Sequence, residues 1–182
     1  MTCVVTGPAG HVGANLIPEL LERGHRVRAF VREDTRALEG LNVERVSGTI
    51  LDPDALDRAF QGARTVFHLA GRISIVGDPD GTVRRTNVDG VRSVVEACER
   101  AGVERLVHVS SIHALSVHPQ DGPVDETREL ADIGPAPAYD LSKARGEREV
   151  LAAAERGLAA VLVEPTVIIA PRDHTPSHPR PP

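Results

Sequence analysis

Aromatic residues and lysine are almost absent from this chain. Only 2% of its 182 residues are aromatic and none is tryptophan, so the core must be built from Val, Leu, Ile and Ala. There is one tyrosine, Tyr139, and of the 21 lysines and arginines only Lys143 is a lysine. The sequence nevertheless places these two single copies only four positions apart, and this spacing needs an explanation.

Other absences narrow the class of protein. The formal net charge of −5 and the lack of a basic stripe argue against nucleic-acid binding, which requires neutralisation of phosphates. No apolar run approaches the length of a membrane span, and the first residues, MTCVVTG, lack the layout of a signal peptide. The two cysteines, Cys3 and Cys98, fall in a predicted strand and a predicted helix, which favours buried free thiols in a reducing compartment. We therefore expect a cytoplasmic protein with no membrane and no nucleic-acid partner.

The sequence does contain a regular alternation of strand and helix patterns. A chain of this length can bury roughly 70% of its unfolded surface in one domain. Short β-branched runs predict strands, and amphipathic stretches predict helices. The predicted strands are 2–7, 26–31, 42–48, 65–71, 105–111 and 159–165, and the predicted helices are 11–24, 52–62, 82–102 and 139–157. This alternation predicts an α/β fold of the doubly wound (Rossmann) type, with a parallel sheet of about six strands and helices on both faces.

A glycine-rich turn, VTGPAGHVG, joins the first strand to the first helix. Gly7 allows a sharp turn, Gly10 lets a pyrophosphate approach the backbone, and Gly13 permits close packing of the helix on the strand. The helix N-terminus adds free N–H groups and about half a positive charge for an anion. A turn that merely uses glycine is the alternative. The position in the first βα unit favours a dinucleotide site, in which we include His11 and Val12.

The end of the second strand bears on the choice of dinucleotide. Proteins that prefer NAD usually place an acid there to hold the ribose 2′-hydroxyl. This sequence runs RAFVRED, with Val31 at the expected acid position and Arg32 next to it. An arginine can hold a 2′-phosphate through two hydrogen bonds, although Glu33 and Asp34 also allow a merely solvated charge. The pattern favours NADP, with NAD as the alternative.

The spacing of four between Tyr139 and Lys143 has a functional explanation if the last predicted helix begins near Tyr139. Residues four apart then lie on one face, one turn along. The ammonium of Lys143 is expected to favour the phenolate and to lower the pKa of the phenol from about 10. Such a tyrosine can transfer protons near neutral pH, a role worth roughly 100- to 10,000-fold in rate. Lysine can also bind ribose hydroxyls, for which the planar arginine side chain is poorly suited.

A hydroxyl that orients a substrate carbonyl would complete this site. The fifth predicted strand ends with Ser110 and Ser111 at the carboxyl edge of the sheet. Serines at strand ends often serve only as caps or turn residues. Next to a Tyr–Lys pair we predict a catalytic role for one of them, and Ser111 is the better candidate because it lies farther past the strand.

Five motifs in this order, TGPAGHVG, HLAG, TNVDGVRSVVEAC, HVSSIHAL and YDLSK, resemble an extended short-chain dehydrogenase/reductase. The resemblance runs from residue 2 to about 177. Within that family the sequence is most similar to the dihydroflavonol-reductase-like and NAD-dependent epimerase/dehydratase group. The resemblance implies a catalytic triad with a supporting asparagine and further residues that line the cofactor. The triad is Ser111, Tyr139 and Lys143, supported by Asn87; the lining residues are Leu69, Ala70 and Gly71, with Pro165 and Val167 beside the nicotinamide.

The chemistry implied by the resemblance is hydride transfer between a nicotinamide and a carbonyl or carbinol carbon of a small substrate. Tyr139 would pass the proton, Ser111 would hold the oxygen, and Lys143 would grip the ribose. Family dehydratases place an acidic pair just after the active hydroxyl. Here Ile112 and His113 follow, which disfavours elimination. His113 is either an additional base or a hydrogen-bonded loop histidine.

The sequence departs from the family pattern at two places. Thr49 stands where an aspartate often contacts adenine, although Ile50 could contribute through its backbone. The family also continues well beyond residue 177, whereas this sequence ends in a proline-rich tail. We therefore expect a dinucleotide-binding domain at 1–164 and only the start of a substrate-binding region at 165–182, as in a truncated or fragmentary product.

Several alternatives follow from these departures. The main expectation is an NADP-dependent oxidoreductase acting on a small molecule, with sugar-nucleotide epimerisation as a second enzymatic possibility. A non-catalytic dinucleotide-binding fragment without a substrate lid is the third.

No metal site is expected, because Pro176 separates His174 from His178 and prevents a shared helical face. A homodimer through the two long helices, 82–101 and 139–156, is possible.

Overall fold

A computed structural model describes residues 1–131 and 136–172 of the chain. The strands are β1 (Thr2–Thr6), β2 (Arg26–Val31), β3 (Glu44–Ser47), β4 (Thr65–His68), β5 (Arg105–Val109) and β6 (Ala160–Val163). The α-helices are α1 (His11–Glu22), α2 (Pro53–Phe60), α3 (Thr82–Arg84), α4 (Gly90–Ala101) and α5 (Ala138–Glu155). Short 3₁₀ helices occur at Arg36–Leu38 and Ile112–Ala114. The predicted alternation of strands and helices is confirmed.

All six strands are parallel and lie in the order β3-β2-β1-β4-β5-β6. The chain reverses its direction of progress across the sheet between β1 and β4. In an open α/β sheet this switch point opens a crevice at the carboxyl ends of the strands, where ligands bind. The doubly wound fold predicted from the sequence is therefore confirmed, and it places the glycine turn at this crevice.

Two apolar clusters cover the two faces of the sheet. On one face, Val4 and Val66 pack with the buried sides of α2, α4 and α5. On the other face, Cys3 and Val5 pack with Ile17 of α1. Successive residues of β1 thus point to opposite clusters, as the period of two in a strand requires. Both cysteines are buried and free, as expected.

The local chemistry of α2 shows why the chain turns into a helix there. The carboxylate of Asp52 accepts hydrogen bonds from the backbone N–H groups of Asp54 and Ala55, at 3.1 and 3.2 Å. Pro53 occupies the first helical position, where its missing N–H costs nothing. The sequence signal and the structure agree in detail at this helix.

The long helix predicted at 82–102 is helical without interruption from Thr82 to Ala101, but it is not α-helical throughout. A π-helical segment, Arg85–Asp89, separates α3 from α4 and contains Asn87. Gly146 of α5 explains the close approach there, because a Cβ on this glycine would lie 2.3 Å from the Asn87 carbonyl oxygen. Segments of π-helix frequently occur at functional sites. The proline-rich tail and the histidines His174 and His178 lie outside the described residues.

Candidate active site at the carboxyl edge of the sheet

A cleft of about 500 Å³ opens at the switch point between β1 and β4. Its wall combines the glycine turn, the end of β2, the segment after β3, the segment after β4, and the start of the helical region that follows. The lining residues are 7–10, 30–34, 48–51 and 69–71, with Thr82, Arg85 and Thr86. Five segments that are distant in sequence therefore meet at one edge.

The glycines of the turn have the distinct roles that the sequence predicts. Gly7 has φ +67°, and a Cβ there would lie 2.8 Å from the backbone nitrogen of Ala70. A Cβ on Gly13 would lie 2.5 Å from the Gly7 carbonyl oxygen, so the helix packs directly on the turn. Gly10 precedes α1 and lines the cleft, and its Cβ position has only the Gly7 carbonyl oxygen near it, at 3.4 Å. The space beside Gly10 and the α1 N-terminus therefore fit a pyrophosphate.

The end of β2 brings charged residues to the cleft. Arg32 is exposed and lines the wall, while Val31 beside it is buried at 3% exposure. Asp34 also lines the wall and forms an ion pair with Arg36 at 2.7 Å. Thr49, the departure noted in the sequence, lies in the same wall. The position that an acid usually occupies thus holds an apolar side chain next to an exposed arginine.

The segment after β4 is held against the glycine turn by Thr6. The Thr6 hydroxyl accepts hydrogen bonds from the backbone N–H groups of Leu69 and Ala70, both at 3.3 Å, and contacts His68 Nδ1 at 2.7 Å. Leu69, Ala70 and Gly71 consequently form part of the cleft wall. These contacts place the residues as the prediction requires, whereas their contact with a cofactor stays a prediction.

Several residues predicted to bind the cofactor lie outside the cleft wall. His11 Nε2 is 3.1 Å from the Ala170 carbonyl oxygen, and neither His11 nor Val12 lines the cleft. The Pro165 carbonyl accepts a hydrogen bond from Ile112 N at 3.2 Å, and Val167 is 75% exposed. The structure therefore does not bring these four side chains to the cleft, and their roles stay predictions.

The predicted catalytic residues meet where β5 ends and α5 begins. Ser111 follows β5, is 7% exposed, and its hydroxyl accepts a hydrogen bond from His113 N at 3.2 Å. Helix α5 begins at Ala138, so Tyr139 lies in its first turn and Lys143 one turn farther on, as the spacing predicts. A side-chain hydrogen bond joins Ser111 to Tyr139. A hydroxyl, a phenol and an ammonium thus share one edge of the sheet.

The pKa of Tyr139 corrects one sequence expectation. Burial raises the pKa of this phenol above 10, the Ser111 hydrogen bond lowers it in part, and the charge of Asp140 raises it further. Lys143 does not account for the shift. Its Nζ donates to the Val109 carbonyl at 3.3 Å, and burial lowers its own pKa to about 8. The expected lowering of the phenol pKa is therefore wrong for this structure, because burial raises this pKa by more than the Ser111 hydrogen bond lowers it.

Asn87 connects three parts of the site. Its amide oxygen accepts a hydrogen bond from Arg72 N at 2.8 Å, and its amide nitrogen donates to the Arg72 carbonyl and to Ser142 Oγ, both at 2.9 Å. The residue is only 2% exposed. It therefore fixes the segment after β4 to the first turns of α5. Gly71 lies between Asn87 and Lys143, since its Cβ position is 3.4 Å from Lys143 Nζ.

A buried polar group beneath this corner was not predicted from the sequence. His68 and His108 are adjacent in register on β4 and β5, and their rings stack at 5.1 Å. Burial, and then the charge of Lys143, lowers the pKa of His68 to about 3, so its ring is neutral. The identical register of the two histidines in TVFHLAG and RLVHVSS is the signal that could have revealed the pair.

Glu147 completes this buried group. Its side chain is fully buried, one turn beyond Lys143, and neither carboxyl oxygen has a hydrogen bond of good geometry within the described ranges. Burial and the facing carboxyl of Glu164 raise the pKa of Glu147 to about 8, while Lys143 and Ser110 act in the opposite direction. The spacing of four from Lys143 could have identified this acid.

Two further expectations concern a metal site and a membrane-spanning segment. Within residues 1–131 and 136–172, no cluster of three or more His, Cys, Asp or Glu side chains could hold a metal ion. Across the same part of the chain, no helix has both the length and the apolarity needed to cross a membrane.

Comparisons with known proteins agree with this geometry. The profile of the NAD dependent epimerase/dehydratase family matches residues 3–181. The chain is 40% identical to "Sterol demethylase protein B" of Methylococcus capsulatus, with 97% of this chain and 54% of that protein covered. It is 37% identical to a "Putative dihydroflavonol 4-reductase" of Synechocystis, with coverage of 95% and 51%.

A solved structure extends the comparison to the fold. Thermus thermophilus UDP-glucose 4-epimerase in complex with NAD superposes with a TM-score of 0.78 at 28% identity, covering 90% of this chain and 54% of that one. The chain thus spans about half the length of the curated relatives that it matches. The match over nearly the whole sequence and the cleft at the switch point lead to one conclusion. The chain belongs to the NAD dependent epimerase/dehydratase family.

Proposed function

We propose that this chain carries the cofactor site and the proton-transfer residues of an NADP-dependent oxidoreductase that reduces the carbonyl of a small substrate. One observation carries the proposal. Ser111 and Tyr139 are joined by a hydrogen bond at the carboxyl edge of the sheet, and Lys143, one helical turn farther along α5, has its Nζ 3.4 Å from the Cβ position of Gly71, which lines the cleft.

Each residue has a distinct task in this proposal. A bound reduced nicotinamide would supply the hydride. The Ser111 hydroxyl would orient the carbonyl oxygen, and the Tyr139 phenol would donate the proton that this oxygen needs as it becomes a carbinol. Lys143, whose ammonium is held by the Val109 carbonyl, would bind ribose hydroxyls. Asn87 would keep the segment after β4 and the start of α5 in register.

The raised pKa of Tyr139 supports reduction as the favoured direction. A phenol whose pKa lies above 10 is protonated at neutral pH, so it can act at once as a proton donor. Oxidation of an alcohol would instead require the phenolate. Deprotonation of Lys143, whose pKa is lowered to about 8, would remove the nearest cation above that pH.

The preference for NADP rests on Arg32. Its side chain is exposed in the cleft wall, at the end of β2, where no acid occupies the position of Val31. A guanidinium can form a bidentate, charge-assisted contact with a 2′-phosphate. An acid at this position would disfavour that phosphate, whereas the Val31 side chain does not.

Titrations with NADPH and NADH, followed by nicotinamide fluorescence, test this preference. NADPH should bind more tightly, and Arg32→Gln should weaken NADPH binding by about 10- to 100-fold, the value of a charge-assisted bidentate contact, with little change for NADH. Arg26→Gln, at the opposite end of the same strand, is the matched control. Equal or tighter NADH binding by the unmodified chain would overturn the NADP assignment.

Turnover tests the role of Tyr139. Small ketones, beginning with a dihydroflavonol because of the relative of that name, would be assayed with NADPH. Tyr139→Phe should reduce turnover by roughly 100- to 10,000-fold and leave NADPH affinity unchanged. A variant as active as the original chain would refute the proton-donor role.

Two other functions remain distinguishable by the same assays. The solved relative that binds NAD is an epimerase, so turnover of UDP-glucose without net change of added cofactor would favour sugar-nucleotide epimerisation. The coverage of about half of each relative favours a third possibility, a dinucleotide-binding module without catalysis. Cofactor binding without turnover of any substrate would favour that module.

We assign residues 1–164 to the dinucleotide domain and 165–182 to the start of the substrate region. The homodimer stays a prediction.

A further inference from the structure

A histidine and an aspartate form a pair beside the proposed proton donor. His113 lies in the 3₁₀ helix Ile112–Ala114, two residues after Ser111, and this helix packs against α5. Its Nδ1 is 3.3 Å from Asp140 Oδ1. Its ring also contacts Tyr139, with ring centroids 5.8 Å apart and planes inclined by 65°. The proposed mechanism gives this pair no task.

The two members of the pair differ in exposure, as expected for an imidazole base that is oriented by a carboxylate. The Asp140 side chain is 19% exposed, whereas that of His113 is 56% exposed. A carboxylate that accepts the Nδ1–H of an imidazole fixes the ring and its tautomer. The Nε2 lone pair is then available to accept a proton, the resulting Nε2–H can donate it again, and the open side of the ring gives access to water.

The first turn of α5 supplies both partners of the histidine. Tyr139 and Asp140 are consecutive, and they are the titratable groups of α5 that contact His113. The remaining titratable groups of that face, Lys143 and Glu147, are buried. His113 is therefore the exposed member of a group of ionisable side chains that extends inward along the helix.

Tyr139 needs such a neighbour if it acts as proposed. Each reduction converts its phenol to a phenolate, which must regain a proton before the next cycle. The phenol is partly buried, and burial raises its pKa, so the phenolate is a strong base that water reaches only in part. An exposed imidazole in ring contact provides a path to bulk solvent.

We propose that His113, oriented by Asp140, is a proton-relay residue that carries protons between solvent and the Tyr139 phenol. The proposal rests on the function proposed above. In the relay, the imidazolium Nε2–H bond breaks and an O–H bond forms on the phenolate, directly or through one water. The imidazole becomes neutral and then regains a proton at Nε2 from hydronium, leaving water, or from water, leaving hydroxide in bulk solvent. No electrons are transferred, and the charge on Asp140 does not change.

The alternative is that the contact between His113 and Asp140 is purely structural, and this alternative predicts a different result. If the contact between His113 and Asp140 only anchors the loop after β5, its loss would change stability but not the rate at which Tyr139 exchanges its proton. The test must therefore measure that rate directly. Because Tyr139 is the only tyrosine of the chain, a signal from tyrosine reports this residue alone.

The experiment measures exchange of the Tyr139 hydroxyl with solvent by NMR, from the isotope effect of deuterium on the ring carbon that carries the oxygen. His113→Asn should slow the exchange by on the order of 100-fold, and free imidazole added to the buffer should restore it. Asp140→Asn should slow the exchange by a smaller factor, because the ring remains but loses its orientation. His118→Asn, in the same exposed loop, is the matched control and should leave the rate unchanged.

The outcomes decide the proposal separately from the proposed function. An unchanged rate in His113→Asn, or a slower rate that imidazole does not restore, would overturn the relay. If His113→Asn does not fold, an unchanged rate in Asp140→Asn would overturn it instead. The measurement needs neither cofactor nor substrate, so a failure of NADPH binding or of ketone turnover would count against the proposed function and not against the relay.

Discussion

The two ends of the sheet are built differently. Around β1 and β4 the Thr6 hydroxyl binds the backbone of the segment after β4 and His68 Nδ1, and within the described residues His68 Nε2 has no hydrogen-bond partner. Around β5 and β6 more buried polar atoms lack a partner among the described residues, namely His108 Nδ1, Ser110 Oγ and both oxygens of the Glu147 carboxyl. At the same end, Val161 and Val163 of the edge strand β6 are 44% and 42% exposed.

This difference in the pairing of polar atoms follows the division of the proposed site into a cofactor cleft and a set of proton-transfer residues. The β1–β4 end forms a cleft from its own residues, and the glycine turn alone explains why a pyrophosphate would fit. The β5–β6 end supplies Ser111, Tyr139 and Lys143, yet it keeps a buried acid and an apolar strand edge open. In the proposed function, cofactor binding would rest on the end with more of its polar atoms paired, and proton transfer would rest on the end with fewer.

The largest expected effect comes from breaking the glycine turn. Gly7→Ala should abolish measurable NADPH binding, a loss of at least about 100-fold, and destabilise the chain by about 3 kcal/mol or more, because the new Cβ would lie 2.8 Å from the Ala70 nitrogen. NADPH titration and urea unfolding would measure both effects.

Gly24→Ala is the matched control for this substitution. Gly24 has a similar φ of +76°, but no atom of residues 1–131 or 136–172 outside its immediate chain neighbours lies within 4 Å of its Cβ position. Backbone strain alone should cost about 1–2 kcal/mol and leave NADPH binding intact. Similar losses of NADPH binding in both variants would show that the close approach of Ala70 to the turn is unimportant.

A second expected effect tests the buried acid at the other end. Because the pKa of Glu147 is raised from 4.5 to about 8, the folded chain holds a proton there that the unfolded chain has released. Stability should therefore fall as pH rises toward 8, by up to about 1.4 kcal/mol per pH unit. The clearest window is pH 6.5 to 8, because the lowered pKa values of His68 and His108, ordinarily 6.5, oppose this trend below it and the lowered pKa of Lys143 opposes it from about 8 upward.

Urea unfolding at several pH values would measure this slope. Glu147→Gln should flatten it, because an amide cannot titrate, whereas Glu155→Gln at the exposed end of α5 should not. Glu164→Gln should move the slope to lower pH by removing the facing carboxyl. An identical pH dependence in the original chain and Glu147→Gln would contradict the burial of a protonated acid.

The smallest expected effect concerns the apolar strand edge. Val163→Thr should change stability by less than about 0.5 kcal/mol, because the side chain is 42% exposed on β6. Val66→Thr on β4 should cost about 1–3 kcal/mol, because it buries a hydroxyl in a fully covered position. Thermal unfolding of both variants would compare the two ends by the same substitution. Equal costs would show that the ends are equally covered.

Much of the fold could be predicted from local sequence signals. The glycine turn, the Asp52 cap with Pro53, and the alternation of strands and helices each depend on neighbours in the chain. The π-helical segment around Asn87 could not be predicted, because it depends on the approach of Gly146 from another helix. Long-range packing therefore sets the features that local periodicity misses.

The candidate site was predictable in position but not in electrostatics. Spacing alone places Tyr139 and Lys143 one turn apart, and the structure agrees. The pKa of Tyr139 could not be predicted in direction, because it depends on burial by segments far away in sequence. The partnership of His113 with Asp140 likewise requires the loop after β5 to fold back on α5, which no spacing in the sequence indicates.

The central claim is that a nucleotide bound at the glycine turn places its nicotinamide beside Tyr139. The most direct measurement is a pH titration of the Tyr139 phenolate absorbance with and without saturating NADP⁺, in a chain that has no other tyrosine and no tryptophan. We predict that NADP⁺ lowers the phenol pKa by about one pH unit or more, because a positive ring next to the phenol favours its charged form. An unchanged pKa with the nucleotide bound would show that the two ends of the sheet do not form one site.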